Sequence, residues 1–373
     1  MQKTVGIVTI IDYLNYGNRL QNIAVKKLVG DMGYTAVNLD IAQKKYFEGR
    51  GRINKVKHYI PPQMARVLDS YRVLKRHGLK NMGMILRRRK KFKQFSDKYI
   101  KTDRYVLGDK GIMKPEIDEN KFCFFTCGSD QIWNPYFAGD SRFFLEFVNT
   151  KKKIAISASI GLDELPDFYV EDFEKGVRHL DLISVREKAA VDIINQYSDS
   201  KASFLYDPTL LAGKEFWKSL LKKPNVKLPK HYIVSFFIGE LPLKAVAEYK
   251  KILNMPVIVL NNRRYPSLYS IAPDELLYII KNADLIITDS FHIMAFSIIF
   301  RKQFYVFERV EKGARDMFSR MRTILEDFGL EDRKYSGEVV IEREITDETY
   351  DRIEDMINVN KQQFIDRLKG LIL

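Results

Sequence analysis

The sequence predicts an α/β protein built from two doubly wound, Rossmann-like domains that face each other across a cleft. Three observations predict it. Short apolar runs alternate with segments of helical apolar spacing through both halves of the chain. The apolar runs are continuous rather than alternating, as strands of a parallel sheet covered on both faces should be. A polar stretch with two Pro, residues 222–230 (KKPNVKLPK), divides a chain of 373 residues, a length that suits two ordinary domains.

The first strand is expected over residues 4–10. It runs into a turn-rich loop, Asp12-Tyr13-Leu14-Asn15-Tyr16-Gly17-Asn18. A helix follows on the apolar spacing of Leu20, Ile23, Ala24 and Leu28, and Gly33 ends it. Residues 34–39 read as the second strand. The turn between them is not a GxGxxG, so no dinucleotide site is inferred. Residues 44–101 form a basic region, helical in period over about 63–98, and are read as an insertion on the first domain. Further strands are expected at 122–126, 153–159 and 180–185, each ending in polar residues or Gly. In the second half, strands are expected at 232–238, 255–260, 285–288 and 304–307, and helices at 273–281 and 346–371. The domains are accordingly placed at 1–215 and 231–345, with the helix of 346–373 packing back toward the first.

Composition limits the function. Hydrophobic residues make up 46% of the chain, enough for full cores, and no apolar run is long enough to span a membrane. The N-terminus enters a strand at once, so no signal peptide is expected. Two cysteines, Cys123 and Cys127, and five scattered His form no zinc pattern, which suits a reducing cytoplasm and predicts no metal. The net charge of +14 is local. Residues 50–101 carry 17 Lys and Arg against two Asp, so the remainder is close to neutral. Such a segment suits a polyanion, the anionic inner face of a membrane or an acidic substrate; a solvated helical face is the alternative. Its aromatics match no recognised nucleic-acid module, and no specific nucleic acid is expected.

The residues with chemistry fall at strand ends. Residues 283–300 contain a buried strand, a polar turn Thr288-Asp289-Ser290, and a helix that starts near His292. In a doubly wound sheet the carboxyl ends of strands are where ligands bind, and a helix N-terminus there favours an anion. His292 is suited to proton transfer, although position alone leaves open that it only caps the helix or packs in the core. Arg186 ends another strand, where it can hold an anion or pair with a carboxylate. Asn18 and Gly128 complete a set of four at the expected cleft.

Taken together these residues resemble the polysaccharide pyruvyl transferase family. The carriers, over roughly 5–330, are Tyr16-Gly17-Asn18-Arg19-Leu20-Gln21, Gly128-Ser129-Asp130-Gln131-Ile132-Trp133-Asn134, Ser184-Val185-Arg186-Glu187, Asp207-Pro208-Thr209-Leu210-Leu211, Thr288-Asp289-Ser290-Phe291-His292 and Ser319-Arg320-Met321. The resemblance implies a glycosyltransferase-B-like fold and transfer of a pyruvyl group from phosphoenolpyruvate to a sugar of a surface polysaccharide or its precursor, often as a ketal. It implies that Arg186 and His292 are catalytic, with the donor at Arg186 and His292. Asn18, Gly128, Ser129, Ser290, Phe291 and Arg320 are assigned to the donor as well, and Gln131, Trp133 and Asn134 to the acceptor. The acceptor is expected to be a saccharide or lipid-linked oligosaccharide, with the basic segment touching the membrane. No cofactor is expected beyond phosphoenolpyruvate as donor substrate. Some members read Arg-Leu-His where this chain has Ser290-Phe291-His292, which removes a guanidinium; Arg320 is the candidate replacement. The rival readings are a nucleotide-sugar glycosyltransferase of the same fold and a protein that binds a polyanion or a membrane through the basic segment.

Overall fold

The computed structural model describes residues 3–372 apart from 44–45, 49–56, 60–61, 108–112, 115, 200, 310–317 and 342–343, and describes no side chain between 42 and 80 or between 107 and 115. The first domain opens with β1 (Thr4–Val8), α1 (Tyr16–Asp31) and β2 (Thr35–Gln43). Asn15 caps α1 by accepting a hydrogen bond from the Asn18 N–H. Gly33, at φ 87°, takes the left-handed conformation that turns the chain from α1 into β2. Then come a hairpin of β3 (Tyr46–Glu48) and β4 (Lys57–Tyr59), the long α2 (Pro62–Tyr99), β5 (Thr102–Leu107), β6 (Met113–Lys114) and β7 (Phe124–Cys127). The domain continues through β8 (Lys152–Ala158), α3 (Asp167–Val177), β9 (Leu182–Val185), α4 (Lys188–Tyr197) and β10 (Ala202–Phe204). These form one sheet in the order β10-β9-β8-β7-β1-β2-β5-β6, parallel except at the β5–β6 edge.

Two short helices, α5 (Pro208–Leu211) and α6 (Lys214–Ser219), lead to the second domain. It comprises β11 (Ile233–Phe236), α7 (Leu243–Leu253), β12 (Val257–Leu260), α8 (Pro266–Tyr269), α9 (Pro273–Lys281), β13 (Leu285–Thr288), α10 (Phe291–Ile299), β14 (Gln303–Val306) and α11 (Ser319–Phe328). Its four strands form a separate, wholly parallel sheet in the order β12-β11-β13-β14. The expected class, two doubly wound α/β domains, is the observed one. Strand bounds moved by a few residues, because apolar side chains continue past the last ladder bond.

The basic segment requires correction. The sequence reads as an insertion there, but α2 returns the chain to β5, and β5 pairs in parallel with β2. The helix is therefore the crossover of a strand–helix–strand unit. Its described C-terminal half packs inward. Phe92 and Phe95 enter the main core, and the Tyr16 and Phe92 ring centroids lie 4.6 Å apart. Arg88 is buried, stacks on Tyr16 and Tyr269, and donates to the Leu14 carbonyl at 2.7 Å and to Asn261 Oδ1 at 2.9 Å. Lys91 pairs with Glu275 of α9 at 2.8 Å. Arg88 and Lys91 thus tie the domains together, while Arg87, Lys90, Lys93 and Lys98 line the exposed face.

The final helix, α12 (Asp347–Ile372), is anchored on both domains. Arg301 of the second domain pairs with Asp347, Asp351 and Glu354. Asn360 accepts from the Tyr206 N–H at 3.0 Å and donates to the Phe204 carbonyl at 3.1 Å, and Lys361 pairs with Asp31 of α1 at 2.9 Å. One hydrophobic cluster runs through Leu20, Trp217, Phe236, Leu276 and Phe296, so the domains share a core. Trp217, beyond the expected domain limit at 215, is fully buried with its ring edge-on to Phe296.

Candidate active site

The second domain contributes one wall of the site. The apolar run Leu285-Ile286-Ile287 has only a sheet interior to go to, and it ends at Thr288 in the middle of that sheet. Asp289 then accepts the Ile238 and Gly239 N–H groups at 2.7 and 2.8 Å, which fastens the turn to the end of β11. Ser290 is the extended N-cap residue of α10, and its N–H donates to Thr288 Oγ1. The next two side chains, Phe291 and His292, are thereby aimed at the first domain. The His292 imidazole lies directly on α1. A Cβ added at Gly17 would stand 2.1 Å from His292 Nδ1, so the ring is seated because position 17 has no side chain.

The first domain answers with a cluster of charges. Arg186 leaves the end of β9 fully buried. Its Nη1 donates to Asp207 Oδ2 at 2.5 Å and to Ser129 Oγ at 3.4 Å. Its Nη2 lies 3.6 Å from Asp130 Oδ1 and its Nε 3.5 Å from Glu187 Oε1. Asp207 caps α5 by accepting from the Thr209 N–H and hydroxyl at 2.9 and 2.7 Å. The same carboxylate approaches His292, with Oδ2 3.9 Å from Nε2. That is too long for a hydrogen bond, and His292 Nε2 is buried without a hydrogen-bond partner, as are Arg186 Nε and Nη2. Asp130, at φ 72°, holds its carboxylate between Arg186 and the Asn18 amide, which donates to it at 2.8 Å. Asn18 also donates to the Ile10 carbonyl and accepts from the Asp12 N–H and from Arg19.

A second guanidinium closes the cluster. Arg320, in the first turn of α11, is buried, and its Cζ lies 5.6 Å from the centroid of the Phe291 ring. Arg186 Cζ lies 5.1 Å from the centroid of that same ring. Phe291 is thus flanked by two cations, one from each domain.

The electrostatics follow from this crowding. Burial lowers the His292 pKa to about 4. Arg186 and Arg320 push the same way, and Asp207 and Asp130 oppose them. Burial, with Arg186 beside it, brings Arg320 down to about 10. Burial pushes Glu187 above the ordinary carboxylate range despite both guanidiniums. Its Oε1 accepts from the Ser159 hydroxyl, while its Oε2 has no hydrogen-bond partner. Burial opposes ionisation of Asp207 and Asp130 too, but Arg186, the His292 ring and the hydrogen bonds each carboxylate accepts together outweigh it and hold both below their usual range.

Of the residues picked from sequence, Asn18, Ser129, Arg186, Phe291, His292 and Arg320 are brought to this cluster. Ser290 is the cap that starts α10. Gly128, at φ 107°, is pressed on the Ile156 carbonyl, where a Cβ would come within 2.3 Å; its part is backbone packing. The acceptor set requires correction. Trp133 is fully buried, stacks on Phe144 with centroids 5.5 Å apart, and donates Nε1–H to the Phe143 carbonyl. Its large apolar ring belongs to the core, not to a surface that a sugar could reach. Asn134 is buried with Oδ1 accepting from the Tyr136 N–H, and the Gln131 amide lies on Gly161. Sequence reasoning missed Asp130, Glu187 and Asp207 as site residues. Asp207-Pro208-Thr209 carries the signal of a helix cap before Pro, but nothing in that signal says what the second carboxylate oxygen does. Among the described residues no three His, Cys, Asp or Glu are grouped so as to hold a metal ion.

The family model described as polysaccharide pyruvyl transferase matches residues 15–309. The comparison with curated proteins found no match. Solved structures that align with the chain include the UDP-GlcNAc 2-epimerase of Neisseria meningitidis bound to UDP-GlcNAc, at 12% identity over 98% of this chain and 99% of that one, TM-score 0.48. Others are the glycotransferase of kitacinnamycin, at 10% identity over 100% of both chains, TM-score 0.47, and the UDP-GlcNAc 2-epimerase of Methanocaldococcus jannaschii, at 10% identity over 95% and 99%, TM-score 0.43. These likenesses are too distant to carry an argument about function.

Proposed function

This chain belongs to the polysaccharide pyruvyl transferase family, and from that we propose that it moves the pyruvyl group of phosphoenolpyruvate onto a sugar, as a ketal, with release of inorganic phosphate. The observation that supports the reading is the pair of buried guanidiniums, Arg186 and Arg320, both close to the Phe291 ring, beside a neutral His292 whose Nε2 is unbonded. Phosphoenolpyruvate carries a carboxylate and a phosphate, and two buried guanidiniums brought together suit two anionic groups. Arg320 then takes the place of the guanidinium that position 290 lacks.

The reaction balances on these groups. One sugar hydroxyl oxygen bonds C2 of the enolpyruvate as C3 gains a proton and becomes a methyl. A second hydroxyl oxygen bonds C2 as the C2–O bond to phosphate breaks. Two hydroxyl protons are lost; one is matched by the new methyl and the other leaves with phosphate. His292, neutral because it is buried, serves as the base that takes a hydroxyl proton. The proton it gains is stabilised by Asp207, 3.9 Å away. Asp207 acts through His292 and Arg186 and is a positioning residue. Arg186 and Arg320 hold the donor. No step of this scheme uses a cofactor.

The test is incubation with phosphoenolpyruvate and a panel of galactosides and mannosides, read by mass spectrometry and phosphate release. A product heavier by one pyruvyl group, with phosphate released in equal amount, is the expected result. Transfer from a UDP- or GDP-sugar, with none from phosphoenolpyruvate, would overturn it.

A further inference from the structure

The carboxyl end of β1 and the outer part of β2 border a cavity of about 210 Å³. Thr9 and Ile10 form one wall, Asp40 and Ile41 a second, and Phe137 and Arg142, from the stretch after β7, a third. We propose that this cavity holds one pyranose ring of a neutral saccharide acceptor. The inference rests on the saccharide-transfer reading above and names the place of the acceptor, which the buried Trp133 cannot provide.

Location is the first argument. The Thr9 hydroxyl donates to the Ser129 carbonyl, and the Ile10 carbonyl accepts from the Asn18 amide. The wall of the cavity is therefore hydrogen-bonded directly to Asn18 and Ser129 of the active cluster.

Charge is the second. Arg142 looks like an anion ligand, but its charge is already paired with Asp140. Nε and Nη2 donate to the two Asp140 oxygens at 2.8 and 2.9 Å, and Nη1 donates to the Ile41 carbonyl at 2.6 Å. Asp40 adds a part-exposed carboxylate, with Arg104 Nε 3.4 Å away. With Arg142 paired to Asp140 and Asp40 beside Arg104, the wall has no net positive charge to draw phosphate or carboxylate ligands. It suits hydroxyl groups, which donate to a carboxylate without bringing charge.

Shape is the third. Phe137 is 65% exposed on the cavity rim, an unusual position for so large an apolar side chain. Tyr136, the preceding residue, and Phe168 are also exposed and meet edge-on at 6.1 Å. A pyranose presents C–H groups on its face and hydroxyls at its edge. An aromatic rim beside a carboxylate matches both, and the Tyr136–Phe168 pair gives a second ring of a longer saccharide a surface to follow.

The experiment is saturation-transfer NMR of the full chain with methyl galactosides, methyl mannosides and inorganic phosphate, with no phosphoenolpyruvate present. Phe137→Ala and Asp40→Asn are compared with wild type, and circular dichroism confirms that both fold. Saccharide signal from wild type is expected, weakened about tenfold in each variant. In the transfer assay Phe137→Ala should raise the saccharide KM and leave turnover at saturation unchanged. No saccharide signal from wild type across the panel, or undiminished signal in both variants, would overturn the site. So would an aromatic rim that mediates self-association, seen as a sedimenting dimer that Phe137→Ala dissolves without any saccharide effect. Saccharide binding that depends on Phe137 without pyruvyl transfer would retain this site and reject the reaction. Transfer with an unchanged KM in Phe137→Ala would do the reverse.

Discussion

Asp207 of the first domain stands 3.9 Å from His292 of the second, and the carboxylate oxygen that faces the imidazole is the one that accepts from Arg186 at 2.5 Å. A single fully buried carboxylate therefore joins Arg186 and His292. Removing it should leave the buried Arg186 with only its longer contacts to Asp130 and Glu187. Asp207→Asn keeps the cap on Thr209 but loses the charge, and should destabilise the protein by about 3–5 kcal/mol, the usual cost of breaking a buried pair. Urea denaturation of Asp207→Asn, Arg186→Met and the double variant checks it. The double variant should recover part of the loss, and strict additivity would contradict the coupling.

Turnover should depend on His292 more than stability does. His292→Ala is expected to cut kcat by about 10²–10⁴-fold, the range for losing a general acid or base. The transfer assay with phosphoenolpyruvate and the preferred glycoside measures it. A loss below threefold would assign the imidazole to packing.

The depressed pKa of His292 fixes the sign of a pH effect. Its folded value of about 4 lies below the ordinary 6.5. Between those values the unfolded chain binds the proton and the folded chain does not, so stability rises with pH across that window. The full effect amounts to about 3 kcal/mol, taken at 1.36 kcal/mol for each unit of pKa. Chemical denaturation of wild type and His292→Gln from pH 7 to pH 4 should show a shallower acid loss in the variant. The imidazole as base should also leave kcat/KM for free enzyme level from about pH 5 to pH 7, because the group is already neutral there.

Gly17 offers a test of the seat beneath the imidazole. In an exposed helix, Gly→Ala is worth up to about 1 kcal/mol in favour of Ala. Here the added Cβ would meet Nδ1 at 2.1 Å, so Gly17→Ala should instead destabilise and lower turnover together. Gly83, with open space around its Cβ position, is the control and should gain stability when changed to Ala. Thermal unfolding of both variants decides.

The basic helix should divide by face. Arg88→Met removes a buried cation bonded to Leu14 and Asn261 and should cost about 2 kcal/mol or more. Arg87→Gln with Lys90→Gln, on the exposed face, should stay within about 0.5 kcal/mol each. Cosedimentation with anionic vesicles at low salt shows whether that outer face meets a membrane: loss of binding in the Arg87/Lys90 variant is the expected outcome.

The sequence by itself determined the class of fold. Short apolar runs such as Leu285-Ile286-Ile287, alternating with segments of helical spacing, read as parallel strands covered on both sides, and local punctuation such as Gly33 and Pro273 marks where helices stop and start. It also brought Arg186 and His292 forward, because strand ends and helix starts are local features. Tertiary structure decided what those residues face. The register of β5 on β2 turned the basic insertion into a crossover helix, and a long-range pairing of that kind leaves no periodic mark in the chain. Burial separated Arg88 from Arg87, and Trp133 from the exposed Tyr136 and Phe137, though each pair has nearly the same local sequence environment. The seat of His292 on Gly17, and Asp207 between His292 and Arg186, join segments far apart in the chain. Only the packing of one domain on the other sets those distances, and the electrostatics of the site follow from them.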